Sequence, residues 1–294
     1  LEKNMTTTHF SYRPTTQGLG AEVDGLNLAS ALTDGEISEL KQRLGEYGVL
    51  LIREQLLNER QQLAFIEQFG ELQGHPVPNV AGPAPVDQPD ERVFYLTNGL
   101  DGAPAKPKVK RAPAAAKTDE TRHRRRSGWH SDLQYMPDPQ VYSMLHSLEI
   151  PVTGGDTEWC DMAAAYLALP ADEQNRLSCL FGLNQVHFLR EQAPVRHPLV
   201  RVHPITGKRC LYLSPSITQA IDGMAPDESE TLITSLTDHA TQSQFCYRHQ
   251  WQVHDTLIWD NRGTMHVRHP FDMNQRRVVR RTQTVGEPIV AAVA

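Results

Sequence analysis

The chain has 294 residues and a net charge of −6, with 22% charged side chains, so it carries no basic footprint for nucleic acid. No apolar run approaches the ~18 residues that a membrane-crossing helix requires, which leaves a small molecule as the expected partner. The length is at the upper end of what one core holds, and a single domain over residues 6–294 is expected.

Leu1-Glu2-Lys3-Asn4 before Met5 reads as a cloning remnant ahead of the start Met. Thr33-Asp34-Gly35-Glu36 is a capping box, and Ile37, Leu40, Leu44 and Tyr47 recur at helical spacing behind it, predicting a helix that runs to Gly48. Val49-Leu50-Leu51-Ile52 then reads as a buried strand. Asn58-Glu59-Arg60-Gln61 opens a second helix with Leu63, Ile66 and Phe69 on one stripe and Gly70 as its stop, so helix, strand, helix is the expected opening.

From residue 93 onward β signals dominate. Strands are expected over Val93–Thr97, Trp129–Tyr135, Tyr142–Ile150, Leu199–His203, Arg209–Leu213, Gln244–His249, Thr256–Trp259 and Arg276–Val285. The two flanking Pro204-Ile205-Thr206-Gly207-Lys208 form a hairpin, and two further helices begin near Pro170 and after Pro226. The fold class is therefore mainly β with helices (α+β), a sandwich or jelly roll carrying helical insertions. Residues 99–128, rich in Pro and Ala with nine Lys or Arg between Lys106 and Arg126, read as a flexible basic insertion or a lid over the segment that follows. Cys160, Cys179, Cys210 and Cys246 show no Cys-x-x-Cys spacing and are expected to be small buried hydrophobes in a reducing cytoplasm.

Among thirteen histidines, only His130 begins a His-x-Asp or His-x-Glu triplet, His130-Ser131-Asp132. In an extended strand, positions i and i+2 share a face, so both side chains could hold one metal. His266, downstream of Trp259-Asp260-Asn261-Arg262, supplies a third ligand. Two imidazoles and one carboxylate on one face of an octahedron are the donor set of mononuclear Fe(II) oxygenases, which keep the opposite positions open. The plainer alternative is a half-buried strand histidine paired with Asp132.

In Arg276-Arg277-Val278-Val279-Arg280-Arg281, alternation sets Arg277, Val279 and Arg281 on one face and Arg276, Val278 and Arg280 on the other. An inward pair of guanidinium groups needs anions to meet it, whereas an edge strand or internal Asp/Glu partners would satisfy the same pattern without a ligand. Gly154-Gly155 marks a tight turn that aims Thr157.

These residues resemble the taurine and 2,4-dichlorophenoxyacetate dioxygenase family of Fe(II)/2-oxoglutarate oxygenases. The stretches that carry the likeness are Trp129-His130-Ser131-Asp132, Gly154-Gly155-Asp156-Thr157, His197-Pro198-Leu199-Val200, Trp259-Asp260-Asn261-Arg262 with His266, and Arg276-Arg277. Tyr142-Ser143-Met144-Leu145 and Tyr247-Arg248-His249 look closer to the dichlorophenoxyacetate branch. The resemblance implies a double-stranded β-helix of the clavaminate synthase-like kind, with Fe(II), 2-oxoglutarate and O2 as cofactor and cosubstrates. It implies His130, Asp132 and His266 as metal ligands and catalytic centre, and Arg277 with Thr157 at the far carboxylate of 2-oxoglutarate. Arg281 falls near both the cosubstrate and the acid head of the substrate, and His75 is similar to a substrate-binding histidine. Pro78 replaces the tyrosine of the taurine enzymes, and the insertion before His130 is a second departure.

The expected substrate is a small organic acid, aryloxyalkanoate-like first. A taurine, alkylsulfonate or alkylsulfate substrate is the alternative, as is tailoring hydroxylation or desaturation of another acidic metabolite. A non-catalytic jelly-roll protein with a structural metal is the rival class, and a homo-oligomer is the expected assembly.

Overall fold

The structure, a computed structural model, describes residues 10–16, 18–74, 90–98 and 128–292. His75 and most of the basic insertion lie outside these. In chain order the strands are β1 (Ser11–Pro14), β2 (Ala21–Asp24), β3 (Val49–Ile52), β4 (Phe94–Thr97), β5 (Tyr142–Glu149), β6 (Thr157–Asp161), β7 (Phe181–Asn184), β8 (Val195–Pro198), β9 (Val200–Val202), β10 (Arg209–Leu211), β11 (Thr218–Ile221), β12 (Cys246–His249), β13 (Thr256–Asp260), β14 (Thr264–Arg268) and β15 (Val278–Gln283). Helices cover Asp34–Tyr47 (α1), Glu59–Glu67 (α2), Met162–Leu167, Ala171–Ser178 and Pro226–Ala240.

A seven-stranded sheet in the order β1-β2-β3-β13-β5-β15-β4 faces a three-stranded sheet in the order β12-β6-β14. The two-sidedness of β3 shows how sequence sets this layering. Val49 and Leu51 pack between the sheets with Leu145, Trp159, Leu257, Trp259 and Val279. Leu50 and Ile52 turn outward against Leu40 and Leu44 of α1 and Phe65 and Ile66 of α2. A strand buried on both faces is a continuous apolar run, as the sequence reads. Both early helices carry the capping boxes, at Thr33 with Glu36 and at Asn58 with Gln61. Behind the small sheet, Cys160, Cys210, Cys246, Met265 and Val267 join the helical layer in a third apolar cluster. No described helix is long and apolar enough to cross a membrane.

Several local expectations are corrected. Strands β1 and β2 precede the first helix, and α2 stops at Glu67, short of Gly70. Cys179 is exposed, unlike the three other cysteines. Residues 129–135 are not a strand: only His130 makes a β-bridge, and the chain turns immediately afterwards through Leu133 at φ 52. The aromatic residues at both ends of the segment, Trp129 and Tyr135, favour a strand, but tertiary contacts override them.

His146 on β5 is fully buried, its Nδ1 at 2.9 Å from Thr256 Oγ1 and its Nε2 without a partner. Burial, reinforced by Arg280 and His254, pushes its pKa down to about 3. An unfolded histidine takes its proton near pH 6.5, so the unfolded chain binds more protons, and stability falls as pH drops from about 6.5 towards 3. His146→Gln is expected to lose about 2 kcal/mol less than the parent between pH 7 and pH 5 in urea titrations. Equal losses in the two proteins count against this assignment.

Candidate metal centre

The turn at Leu133 brings together what a straight strand would hold only loosely. His130 and His266 exchange both backbone hydrogen bonds, at 2.9 and 2.8 Å, and their rings stand 4.3 Å apart. β14, which carries His266, is pinned on its other edge by β6, with His266 opposite Trp159. Asp132 then folds back between the rings. Its Oδ1 lies 3.6 Å from His130 Nε2 and 3.8 Å from His266 Nε2. All three side chains present a ligand atom within 4.8 Å of the others, and no fourth His, Cys, Asp or Glu among the described residues joins them.

The surroundings fix this arrangement. His130 Nδ1 meets the Gly128 carbonyl at 2.6 Å and donates to it, which leaves the Nε2 lone pair facing the cluster. Ser143 Oγ donates to Asp132 Oδ2 at 2.6 Å, and Arg281 donates to Oδ1 at 2.8 Å. Asn261 Oδ1 accepts from the Asp132 amide at 3.1 Å, while its Nδ2 donates to Ser143 Oγ at 2.9 Å. Burial raises the Asp132 carboxyl, but Arg281, His266 and His130 outweigh it and hold it well below the usual carboxylate range. Burial and the neighbouring His130 push His266 down to about 3, so its imidazole faces the cluster as a neutral donor at neutral pH.

The neighbouring Asp260-Arg262 pair is structural. Arg262 forks onto Asp260 at 2.8 and 2.6 Å and reaches Tyr142 Oη at 2.7 Å, and His203 Nε2 is 3.1 Å from the same carboxylate. This planar, bidentate pair braces the turn between β13 and β14.

Beyond Arg281, Arg277 stands one residue ahead of β15, short of the strand start expected at Arg276, and packs against Gly155. Gly154 and Gly155 sit at φ 78 and 73, and a β-carbon on Gly155 would come within 3.3 Å of Arg277 Nε. The pair of glycines thus permits close approach as well as the turn. Thr157 is buried, and its Oγ1 accepts from Trp251 Nε1 at 3.0 Å, which frees the hydroxyl proton for another acceptor. Arg277 is buried with its Nε unpartnered, and burial together with Arg268 lowers its pKa to about 10. The opposite face of β15 is covered at Arg280. Arg280 is buried and donates to the Leu57 carbonyl, while Arg276 pairs with Glu149.

The structure brings together His130, Asp132, His266 and Arg281, and aligns Arg277 and Thr157 on the inner walls. Ser143, Asn261, Gln140 and Trp251 escaped the sequence reading. Gln140 accepts from Arg281 at 3.1 Å. Asn261 lay within a motif the sequence displays, but nothing in its spacing signals a bond to the Asp132 amide.

Whether these residues suit a metal with an organic anion is answered by their unsatisfied atoms. Two imidazoles and one carboxylate converge with no fourth His, Cys, Asp or Glu among the described residues, a donor set that suits ferrous iron in oxygenases rather than a closed zinc shell. The buried Arg277 guanidinium, with no carboxylate partner among the described residues, stands nearby. Together they define a mononuclear non-haem iron oxygenase that uses an acidic cosubstrate.

The family described as "Taurine catabolism dioxygenase TauD, TfdA family" matches residues 11–283. The chain belongs to it, and so is an Fe(II)- and 2-oxoglutarate-dependent dioxygenase with the family's double-stranded β-helix. It is 34% identical over 290 residues to the alpha-ketoglutarate-dependent 2,4-dichlorophenoxyacetate dioxygenase of Cupriavidus pinatubonensis, covering 92% of this chain and 96% of that one. It is 29% identical over 304 residues to the (S)-phenoxypropionate/alpha-ketoglutarate-dioxygenase of Sphingobium herbicidovorans, covering 95% and 96%. Among solved structures, a taurine dioxygenase from Burkholderia xenovorans superimposes with a TM-score of 0.80 at 32% identity, over 96% of this chain and 91% of that one. AAD-2 in complex with Mn(II) and N-oxalylglycine gives 0.77 at 29% identity, over 96% and 100%.

Proposed function

We propose that this enzyme hydroxylates a small aryloxyalkanoate at the carbon between its carboxylate and its ether oxygen, yielding a hemiacetal that collapses to a phenol and an oxoacid. His130, Asp132 and His266 would hold the iron, and Arg277 with the Thr157 hydroxyl would hold the far carboxylate of 2-oxoglutarate. Bound iron, 2-oxoglutarate and O2 supply the oxidising power, with succinate and CO2 as coproducts. The chain's own share is positioning, exclusion of water and fixed charge.

One observation carries the substrate class: an acid receptor and an apolar wall adjoin the same carboxylate. Arg281 touches Asp132 at 2.8 Å, so an anionic head bound by this guanidinium lies beside the metal ligands. The residues just after Asp132 form an apolar cluster of Leu133, Tyr135 and Ile217, packed by Met136, Val186 and Leu189. Phe188 meets the Tyr135 ring edge-on at 5.7 Å. Aromatic rings that stack on such a wall gain burial that a short alkylsulfonate lacks. The printed activities of the dichlorophenoxyacetate and phenoxypropionate relatives support the same class. His75 would add to the acid receptor. A reducing cytoplasm suits the free cysteines, and a homo-oligomer completes the reading.

The test is succinate formation with Fe(II) and 2-oxoglutarate across phenoxyacetates, phenoxypropionates, cinnamates, taurine and alkyl sulfates. Phenoxy acids are expected to stimulate it at least about tenfold over the acid-free rate. Stimulation by taurine or alkyl sulfates alone defeats the substrate assignment.

A further inference from the structure

The wall that carries Arg277 holds a second arginine to which the metal and cosubstrate chemistry above assigns nothing. Arg268 ends β14, two positions after His266, and therefore shares its face of the sheet. It stands directly opposite Thr157 on β6. Arg268 and Arg277 both lie against the Phe271 ring, with their guanidinium carbons 5.2 and 5.9 Å from its centroid. The two also line one cavity of about 210 Å³, together with Leu96, Asn98, Phe271 and Met273. Among the described residues, no carboxylate lies within ion-pair distance of either.

Two like charges beside one ring, Arg277 buried and Arg268 exposed, open onto a shared cavity without a counter-ion among the described residues and repel each other unless an anion joins them. The cavity is below the ~300–1,000 Å³ of pockets for drug-sized ligands, as suits a short dicarboxylate. We propose that Arg268 is a second cosubstrate-binding residue, forming with Arg277 and Thr157 a two-guanidinium cradle for the distal carboxylate of 2-oxoglutarate. This rests on the cosubstrate orientation given above, but not on the identity of the substrate. Arg277 reaches the carboxylate from the residue before β15 and Arg268 from the end of β14, so the anion ties the large sheet to the small one.

The test uses glutarate, which has the same carboxylate ends but no 2-oxo group to chelate a metal, so its binding reports the arginine end alone. Calorimetric titration of the full-length, metal-free chain is expected to show glutarate binding that weakens about tenfold in Arg268→Gln and largely returns in Arg268→Lys. In the iron-loaded enzyme, Arg268→Gln should raise the KM for 2-oxoglutarate about tenfold, with the KM for the phenoxy acid within about twofold of the parent. Equal glutarate affinity in parent and Arg268→Gln, both melting at the same temperature, overturns the proposal. So does a parent chain that binds no glutarate. If Arg268→Gln weakens glutarate binding while no phenoxy acid stimulates succinate formation, the cradle stands and the substrate assignment falls.

Discussion

Asp132→Ala is expected to abolish iron retention and to lower substrate-dependent succinate formation by about 10³-fold or more. Asp132 is the one anionic member of the cluster, and its Oδ1 is the atom that both imidazoles approach. Its removal also strips Arg281 of the carboxylate 2.8 Å away, leaving that guanidinium to Gln140. Two imidazoles beside an unpaired cation make a poor site for a second cation. Metal content by elemental analysis and succinate by chromatography give the answer independently. An Asp132→Ala protein that retains stoichiometric iron and parental turnover would refute the ligand assignment.

The second large effect concerns Arg277→Ala, for which the KM for 2-oxoglutarate should rise about a hundredfold. This guanidinium is buried and its Nε meets no acceptor among the described residues, so the folded chain already bears the cost of desolvating it. A ligand carboxylate regains that energy, and alanine offers nothing in return. Because Arg277 takes no part in the apolar cluster at Tyr135, the requirement for the acidic substrate should change far less. If the phenoxy-acid KM rises while that for 2-oxoglutarate does not, the two anions have been assigned to the wrong ends.

How much of this was legible in the sequence varies with the kind of signal. The capping boxes at Thr33 and Asn58 are local, and the helices start where they predict. The apolar run of β3 and the alternation in the final arginine strand also translate directly, since Val279 packs between the sheets and Arg281 reaches Asp132 on the same inward face. The reverse face departs from the pattern's simplest reading because α2 covers it. Strands β6 and β14 were not foreseen: each is five residues long and mixes charged with apolar positions, so their identity comes from pairing with each other. The extended conformation expected at Trp129–Tyr135 fails for a similar reason. The ladder partner of His130 is His266 alone, and the turn through Leu133 serves the site rather than local preference. Spacing identified the residues of the cluster, while the geometry that joins them depends on contacts across the sheets.

The backbone bridge between His130 and His266 has a consequence for how the enzyme is made. Ser131 Oγ also bonds the Asn261 carbonyl, joining residues 130 positions apart. A nascent polypeptide therefore has no competent centre until the segment around residue 266 is synthesised and zipped onto its distant mate. Such long-range closure forms late and loosens early. Loss of the ion should accordingly track the opening of this one seam during denaturation, so bound metal reports continuously on whether the two ends of the barrel remain fastened.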